Sequence, residues 1–336
     1  MTAEWTPDFQ VLADSTDITA ALRDRLLSLS VTDAAGIDSD TLEISLDDRD
    51  GVISIPRLGA KLDVRLGYKE TGMANLGLYV VDEVGLSGPP DTMTIRGRAA
   101  DLRAKLKTTR TRPWHGITIG NIVKKIASEH GYTAKVSPEL AKQVIAHIDQ
   151  TGESDLHFLT RLATNRGAIS KAAGGLLLFV FRGQAKSATG KDLPTVLLTW
   201  QDLSRRDVTL AERGKYASVV ATWHSHSKAK EQRITVGSGD PAYTIRHRYP
   251  DEASATAAAK ARLESLTRGT STLRFSCPGD VRLGAEGKIE ISGARTGVDG
   301  PWVLTTVTHR LDSSGYRCDC EAQTPNQEQE VTNAGD

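Results

Sequence analysis

Strict apolar–polar alternation near the N-terminus constrains this chain more than any other feature. In Thr41-Leu42-Glu43-Ile44-Ser45-Leu46, the residues Leu42, Ile44 and Leu46 fall on one face of an extended chain. Lys61 to Gly67 repeats the pattern through Leu62, Val64 and Leu66. Asp8 to Leu12, Leu26 to Val31, Leu76 to Leu86 and Thr92 to Gly97 are further extended segments. Ser87-Gly88-Pro89-Pro90 signals a turn between the last two, and Asp17 to Leu22 reads as a helical turn. Short strands at this spacing predict a closed or nearly closed antiparallel barrel over residues 1–106.

The period then changes. Ile119, Ile122, Val123, Ile126 and Ala127 fit a helix that Gly131 ends. Ser137-Pro138-Glu139 starts a short helix with proline in its first turn. A third helix is expected over Ser154 to Gly167, followed by an apolar strand from Leu176 to Phe181. Residues 107–193 thus read as a small helical α/β module closed by a Gly-, Lys- and Ser-rich linker at Gly183 to Leu193. Strands return over residues 194–325: Val196–Thr199, Ala217–His226, Arg233–Val236, Thr244–Arg248, Thr270–Cys277, Gly287–Ser292, Val303–Leu311 and Tyr316–Ala322. A helix at Asp251 to Arg268 makes a helical excursion near 234–269, and residues 326–336 read as a mobile tail. The fold class is therefore α+β, mainly β: two barrel-like antiparallel β domains with a small helical α/β module between them.

The run from His147 to Gly167 is dense in His, Asp, Glu and Ser and has the composition of a catalytic site. Its apolar residues Leu156, Leu159, Leu162 and Ala163 nevertheless recur at helical spacing. Thr151 or Ser154 can cap that helix, Glu153 and Asp155 complement its positive end, and Gly167 supplies a left-handed stop. Ser154, Asp155 and His157 are triad residue types, but close neighbours on a helix point in different directions. Glu153 and Asp155, two residues apart, do not face each other across a cleft as glycosidase carboxylates must. Helix architecture accounts for the run without catalysis.

The same run, Gln150-Thr151-x-Glu153-Ser154-Asp155-x-x-Phe158-Leu159-x-Arg161-Leu162-Ala163, resembles a segment of the phage late control protein D family. Four other segments fit in order. Leu46-Asp47-Asp48-Arg49 leads to Pro56-x-x-Gly59-Ala60-x-Leu62 and Gly67-Tyr68. Gly116-x-Thr118-Ile119-Gly120-x-Ile122-Val123 leads to Ile126-Ala127 and His130-Gly131-Tyr132. Trp200-Gln201-Asp202-Leu203 is similar to the entry of the family's second half. Gly300-Pro301-Trp302 with His309-Arg310-Leu311 and Gly315-Tyr316 resembles its closing hairpin.

The resemblance implies a baseplate hub of a contractile tail. Such hubs form a homotrimer whose pseudo-six-fold ring joins the tail tube to a central spike protein. It implies contacts with tail tube protein and other baseplate proteins, passage of DNA or tape-measure protein through the ring, and a virion baseplate location after assembly in the host cytoplasm. The alternatives are a tail-associated cell-wall hydrolase using Glu153 or His157, or the hub part of a type VI or bacteriocin-like injection system.

Charge is balanced overall, with 42 basic and 42 acidic residues, but it is unevenly spread. Residues 1–106 carry 11 basic and 18 acidic residues, 107–234 carry 20 and 10, and 235–336 carry 11 and 14. The acidic first third disfavours a nucleic-acid surface there. The basic middle third lacks a basic stripe interleaved with aromatics, so a solvated or subunit-facing surface is the reading for it. No run is long enough to cross a bilayer, and the acidic N-terminus is unlike a signal peptide.

Three cysteines, Cys277, Cys318 and Cys320, make no disulfide framework. His224 and His226 project to one side of a strand, as do Cys318 and Cys320. A zinc site from these four would need adjacent strands in register, so polar strand residues and semi-buried thiols are the expectation. Gly183 to Lys191 has the wrong spacing for a phosphate loop, and Asp240-Pro241 after Gly237-Ser238-Gly239 obstructs a dinucleotide-binding helix. His309, near Trp302 and Tyr316, reads as packing or an inter-strand hydrogen bond. No catalytic, cofactor-binding or metal residue is assigned, no cofactor is expected, and the chain is not expected to be an enzyme. The contact regions expected are the Arg49 to Pro56 loop, the Gly67 to Asn75 loop and the C-terminal tail.

Overall fold

The computed structural model describes residues 5–35, 40–100, 106, 108–173, 175–182, 194–210, 216–225, 230–267 and 271–325. The first region contains β1 (Pro7–Ala13), β2 (Thr16–Asp17), α1 (Thr19–Arg23), β3 (Leu26–Ala34), β4 (Thr41–Asp47), β5 (Lys61–Tyr68), β6 (Gly72–Ser87) and β7 (Thr92–Ala99). The middle contains β8 (Thr109–Thr118), α2 (Ile119–His130), β9 (Thr133–Val136), α3 (Pro138–Ala141), β10 (Val144–Ser154), α4 (Asp155–Thr164), β11 (Ala168–Ala173) and β12 (Leu176–Phe181). The last contains β13 (Val196–Thr199), β14 (Arg205–Leu210), β15 (Ser218–Ser225), β16 (Lys230–Gly237), β17 (Ala242–Tyr249), α5 (Glu252–Thr267), β18 (Ser271–Pro278), β19 (Lys288–Ser292), β20 (Gly300–Asp312) and β21 (Gly315–Gln323).

The alternation read from the sequence becomes register. β4 buries Leu42, Ile44 and Leu46, and β5 buries Leu62, Val64 and Leu66. The tight β5–β6 hairpin needs a residue without a side chain: a Cβ on Gly67 would lie 2.3 Å from the Gly72 carbonyl oxygen.

The α+β, mainly β class is observed, with a join that no local pattern signals. The strands of the first and last regions form one 13-stranded sheet, ordered β14-β18-β21-β20-β3-β4-β7-β6-β5-β1-β2, with β13 and β19 attached beside β20. The join is the antiparallel pairing of β3 with β20, from Ala34 opposite Thr306 to Ser28 opposite Asp312. Five strands lie between β5 and β21 in this order. Even so, the Tyr68 hydroxyl donates to the Gly279 carbonyl at 3.0 Å, and the Tyr68 and Tyr316 rings lie 5.4 Å apart. The sheet therefore coils back on itself, as twisted sheets of many strands do. One apolar core runs through both strand sets, from Phe9 and Val11 to Cys320 and Ala322.

The middle region has its own core, built from Ile119, Ile122, Val123 and Ile126 of α2, Phe158, Leu159 and Leu162 of α4, and Leu177 and Phe179 of β12. The α2 helix spans the expected residues. The Thr118 hydroxyl caps its start, and Gly131, at φ 71°, turns the chain left-handed at its end. The helix expected from Ser154 to Gly167 ends sooner, at Thr164, with Gly167 turning the chain into β11. A ribbon of β8 and β10 lies beside this core, unforeseen because its buried Trp114, Ile145 and Gln150 give no sustained apolar alternation. Lys171 ties the module to the sheet, reaching Asp33 at 2.9 Å, Asp40 at 2.8 Å and the Ala34 carbonyl at 3.0 Å.

The excursion is a three-stranded sheet, β16-β15-β17, covered by α5. Its small core joins Val219 and Ala221 to Ala255, Ala259 and Leu263. β14 was also missed, because Arg205–Leu210 is almost wholly exposed and shows no apolar face.

Candidate functional site

The polar run from Gln150 to Arg161 lies where the β8–β10 ribbon bulges and hands over to α4. The Ser154 hydroxyl accepts from the His157 backbone amide at 3.2 Å, so Ser154 is the cap and Thr151 is an exposed ribbon residue. Glu153 takes the Arg161 guanidinium on both oxygens and meets His157 Nδ1 at 3.1 Å. Together with Thr109, Asp149 and Thr151 these residues rim an open cleft of about 640 Å³.

Asp155 corrects the expectation of a simple helix-dipole residue. Its side chain is fully buried and bonded on both oxygens. Oδ1 accepts from Arg112 at 2.6 Å and Gln150 at 2.8 Å, and Oδ2 lies 2.8 Å from His130 Nε2. Burial alone would raise its pKa. Hydrogen bonds from His130 and Gln150 and the charges of Arg112 and Arg110 outweigh that and hold the carboxyl below its usual range.

Glu129 extends the cluster by accepting from Arg112 at 2.9 and 3.0 Å and from Arg110 at 2.8 Å. Donor atoms of Glu129, His130 and Asp155 lie within 4.8 Å of one another, a spacing a metal ion accepts. The two arginines already supply the positive charge there, so the residues fit an ionic lock between ribbon, α2 and α4 better than a cation site. Sequence reading singled out Asp155 but missed its partners. Arg110 and Arg112, two apart on one face of β8, were the available signal.

Of the four residues weighed as a zinc set, the three described do not converge. His224 lies on β15 opposite Glu231, whereas Cys318 and Cys320 face the core of the main sheet; His226 lies outside the described residues. Cys318 instead sits opposite Cys277 and 3.3 Å from His309 Nδ1. Its hydrogen bond with Cys277 and its burial push the Cys318 thiol up, so it stays protonated. His309 Nε2 donates to the Leu283 carbonyl at 3.1 Å, and its Nδ1 lies 2.7 Å from the Tyr316 hydroxyl. Burial opposes charge on the ring, but Cys318, the Leu283 carbonyl and Asp33 outweigh it and hold the His309 pKa above its ordinary value. This is the inter-strand hydrogen bonding expected of His309. Trp302 is likewise buried, with its indole N–H on the Val298 carbonyl at 2.9 Å.

Gly237 ends β16 and Gly239 lies in the β16–β17 connection, while Gly183 to Lys191 and the tail at 326–336 lie outside the described residues. The Arg49 to Pro56 loop and the residues after it expose Val52, Ile55 and Leu58 by 67%, 63% and 63%, the densest run of exposed large apolar side chains among the described residues. The segment from Gly67 to Asn75, expected as a loop, is the tight β5–β6 hairpin, and its Met73 is exposed.

Residues 39–315 match the family model described as phage tail baseplate hub (GPD). The probable baseplate hub protein of Escherichia phage P2 is 36% identical over 360 residues, covering 95% of this chain and 93% of its own. The chain belongs to the phage tail baseplate hub family. It is a baseplate hub protein, and its place is the tail baseplate of the virion. The hub fold extends to distant structures. A tail protein from Neisseria meningitidis MC58 aligns with TM-score 0.71 at 14% identity, covering 95% of this chain and 96% of that one. An Escherichia coli type VI secretion system component aligns with TM-score 0.55 at 15% identity, covering 93% and 76%.

Proposed function

We propose that this hub protein works as a shaped adaptor: a homotrimer whose pseudo-six-fold ring joins the tail tube to a central spike protein. The observation that carries this reading is the β3–β20 join, which sets two strand-rich units side by side in one sheet within each copy. Three copies then offer six such units around an axis, suited to a six-fold tube on one face and a three-fold spike on the other. The division into a first β unit (1–106), a helical module (107–193) and a second β unit (194–325) belongs to the same proposal. So do contacts with other baseplate proteins and the passage of DNA or tape-measure protein through the ring. The exposed Val52, Ile55 and Leu58 favour their loop as one docking surface, since clustered apolar side chains in solvent mark contact sites.

In this reading the polar run is scaffold and the protein is not an enzyme. Glu153 is committed to Arg161 and His157, and Asp155 is buried and fully bonded, so neither is placed to give or take a substrate proton. Sedimentation of the full chain at micromolar concentration tests the assembly. A trimer is expected, and a stable monomer overturns it. Peptidoglycan cleavage lost in Glu153→Gln would overturn the non-enzymatic part.

A further inference from the structure

The β8–β10 ribbon carries a feature that the hub role does not use. His115 and His147 are direct cross-strand partners. The neighbouring pair, Trp114 opposite Ile148, faces the core, so both imidazoles stand on the outer face, and both residues are exposed. Their rings stack with centroids 4.4 Å apart, and the two Nδ1 atoms lie 2.9 Å from each other. On its far side, His147 Nε2 lies 3.1 Å from the Asp149 carboxylate.

This geometry fixes the protons. A carboxylate only accepts, so Nε2 of His147 carries the hydrogen and its Nδ1 presents a lone pair. That lone pair faces His115 Nδ1, and one proton serves both nitrogens. Imidazole–metal bonds of about 2.0–2.1 Å place two cis nitrogen ligands about 2.9–3.4 Å apart, the separation already present here. A carboxylate on the outer nitrogen of a ligating histidine is the usual device for orienting the ring and strengthening it as a donor.

We propose that His115 and His147 form a divalent transition-metal site of borderline softness, for an ion such as Zn²⁺ or Cu²⁺, with Asp149 orienting His147. The ion binds both Nδ1 atoms, and the shared proton moves through water to Nε2 of His115, so both ligands are neutral imidazoles. Two protein ligands leave the remaining positions to water or to a donor brought by a neighbouring molecule.

Calorimetric titration of untagged, chelator-dialysed full chain with Zn²⁺ tests this, paired with electron paramagnetic resonance of the Cu²⁺-loaded protein. One ion per chain is expected, with two nitrogens coupled to the Cu²⁺ signal. His115→Ala or His147→Ala should each weaken binding at least tenfold and leave one coupled nitrogen. Asp149→Asn should keep the stoichiometry and weaken binding by about tenfold. Circular dichroism of these surface variants confirms that they fold. Absence of saturable binding by the wild-type chain up to millimolar Zn²⁺ overturns the proposal, as does unchanged affinity in the double His115→Ala, His147→Ala variant.

Discussion

Around His309 in the main sheet the bonded partners are a phenol and a thiol, whereas around Asp155 in the middle module most are charged. The His309 centre joins β20 to β21 and the turn at Leu283 through an imidazole, a phenol and a protonated thiol. The Asp155 centre joins two ribbon strands and two helices through a carboxylate, two guanidiniums and a histidine. The contrast follows what each region has to work with. The large sheet has a continuous apolar core, and its polar centre only has to satisfy its own donors and acceptors. The module's smaller core leaves a ribbon to be held against α2 and α4, and charge-assisted bonds do that with directionality that apolar contact lacks.

The largest expected effect follows from removing one charge of the ionic centre. Asp155→Ala leaves Arg112 and His130 facing each other with the carboxylate gone and should cost about 3 kcal/mol. Urea unfolding, with hydrogen exchange localising the loss to α2, α4 and the ribbon, measures it. An effect spread evenly over the main sheet would break the distinction between the regions.

Acid should expose the same contrast. The folded-state pKa of Asp155 lies below its ordinary value, so its contribution is complete above that ordinary value and is lost as pH falls through the folded one. Melting followed from pH 6 to pH 3 should show the module losing stability first, with a shallower fall in Asp155→Asn. Lys171→Met removes the tie between the two regions and leaves Asp33 and Asp40 facing each other. About 2 kcal/mol should be lost, seen as faster exchange in β11 and β3. Tyr316→Phe deletes one hydrogen bond of the His309 centre and should cost about 1 kcal/mol, read as a small shift of the urea midpoint. Ser154→Ala removes the α4 cap for about 1 kcal/mol or less, measurable as a small drop in melting temperature.

Elements whose residues carry their own period were legible in the sequence. The apolar stripe of α2, its closing Gly131 and the alternation in β4 and β5 gave these elements nearly to the residue. The cap was legible to within two candidates, Thr151 and Ser154, of which the structure uses Ser154. What could not be read was pairing at a distance. Nothing in Leu26–Ala34 announces a partner in Gly300–Asp312, because strand register is decided by which edge remains open after folding. Asp155 looked like a helix-start acid because that role needs only its own helix, whereas its actual partners arrive from β8, α2 and β10. The meeting of Cys277 with Cys318 and His309 was hidden in the same way, because it joins strands far apart in the sequence.

The claim on which the adaptor reading rests is that both strand sets form one sheet through β3 and β20, and hydrogen exchange resolved to single amides tests it most directly. Amides of Leu29, Val31 and Asp33 should exchange as slowly as those in the centre of β4 and rise together with those of Val307, His309 and Leu311 as denaturant is added. Fast exchange along β3 while β20 and β21 stay protected, or separate melting of the two sides of the join, would contradict it.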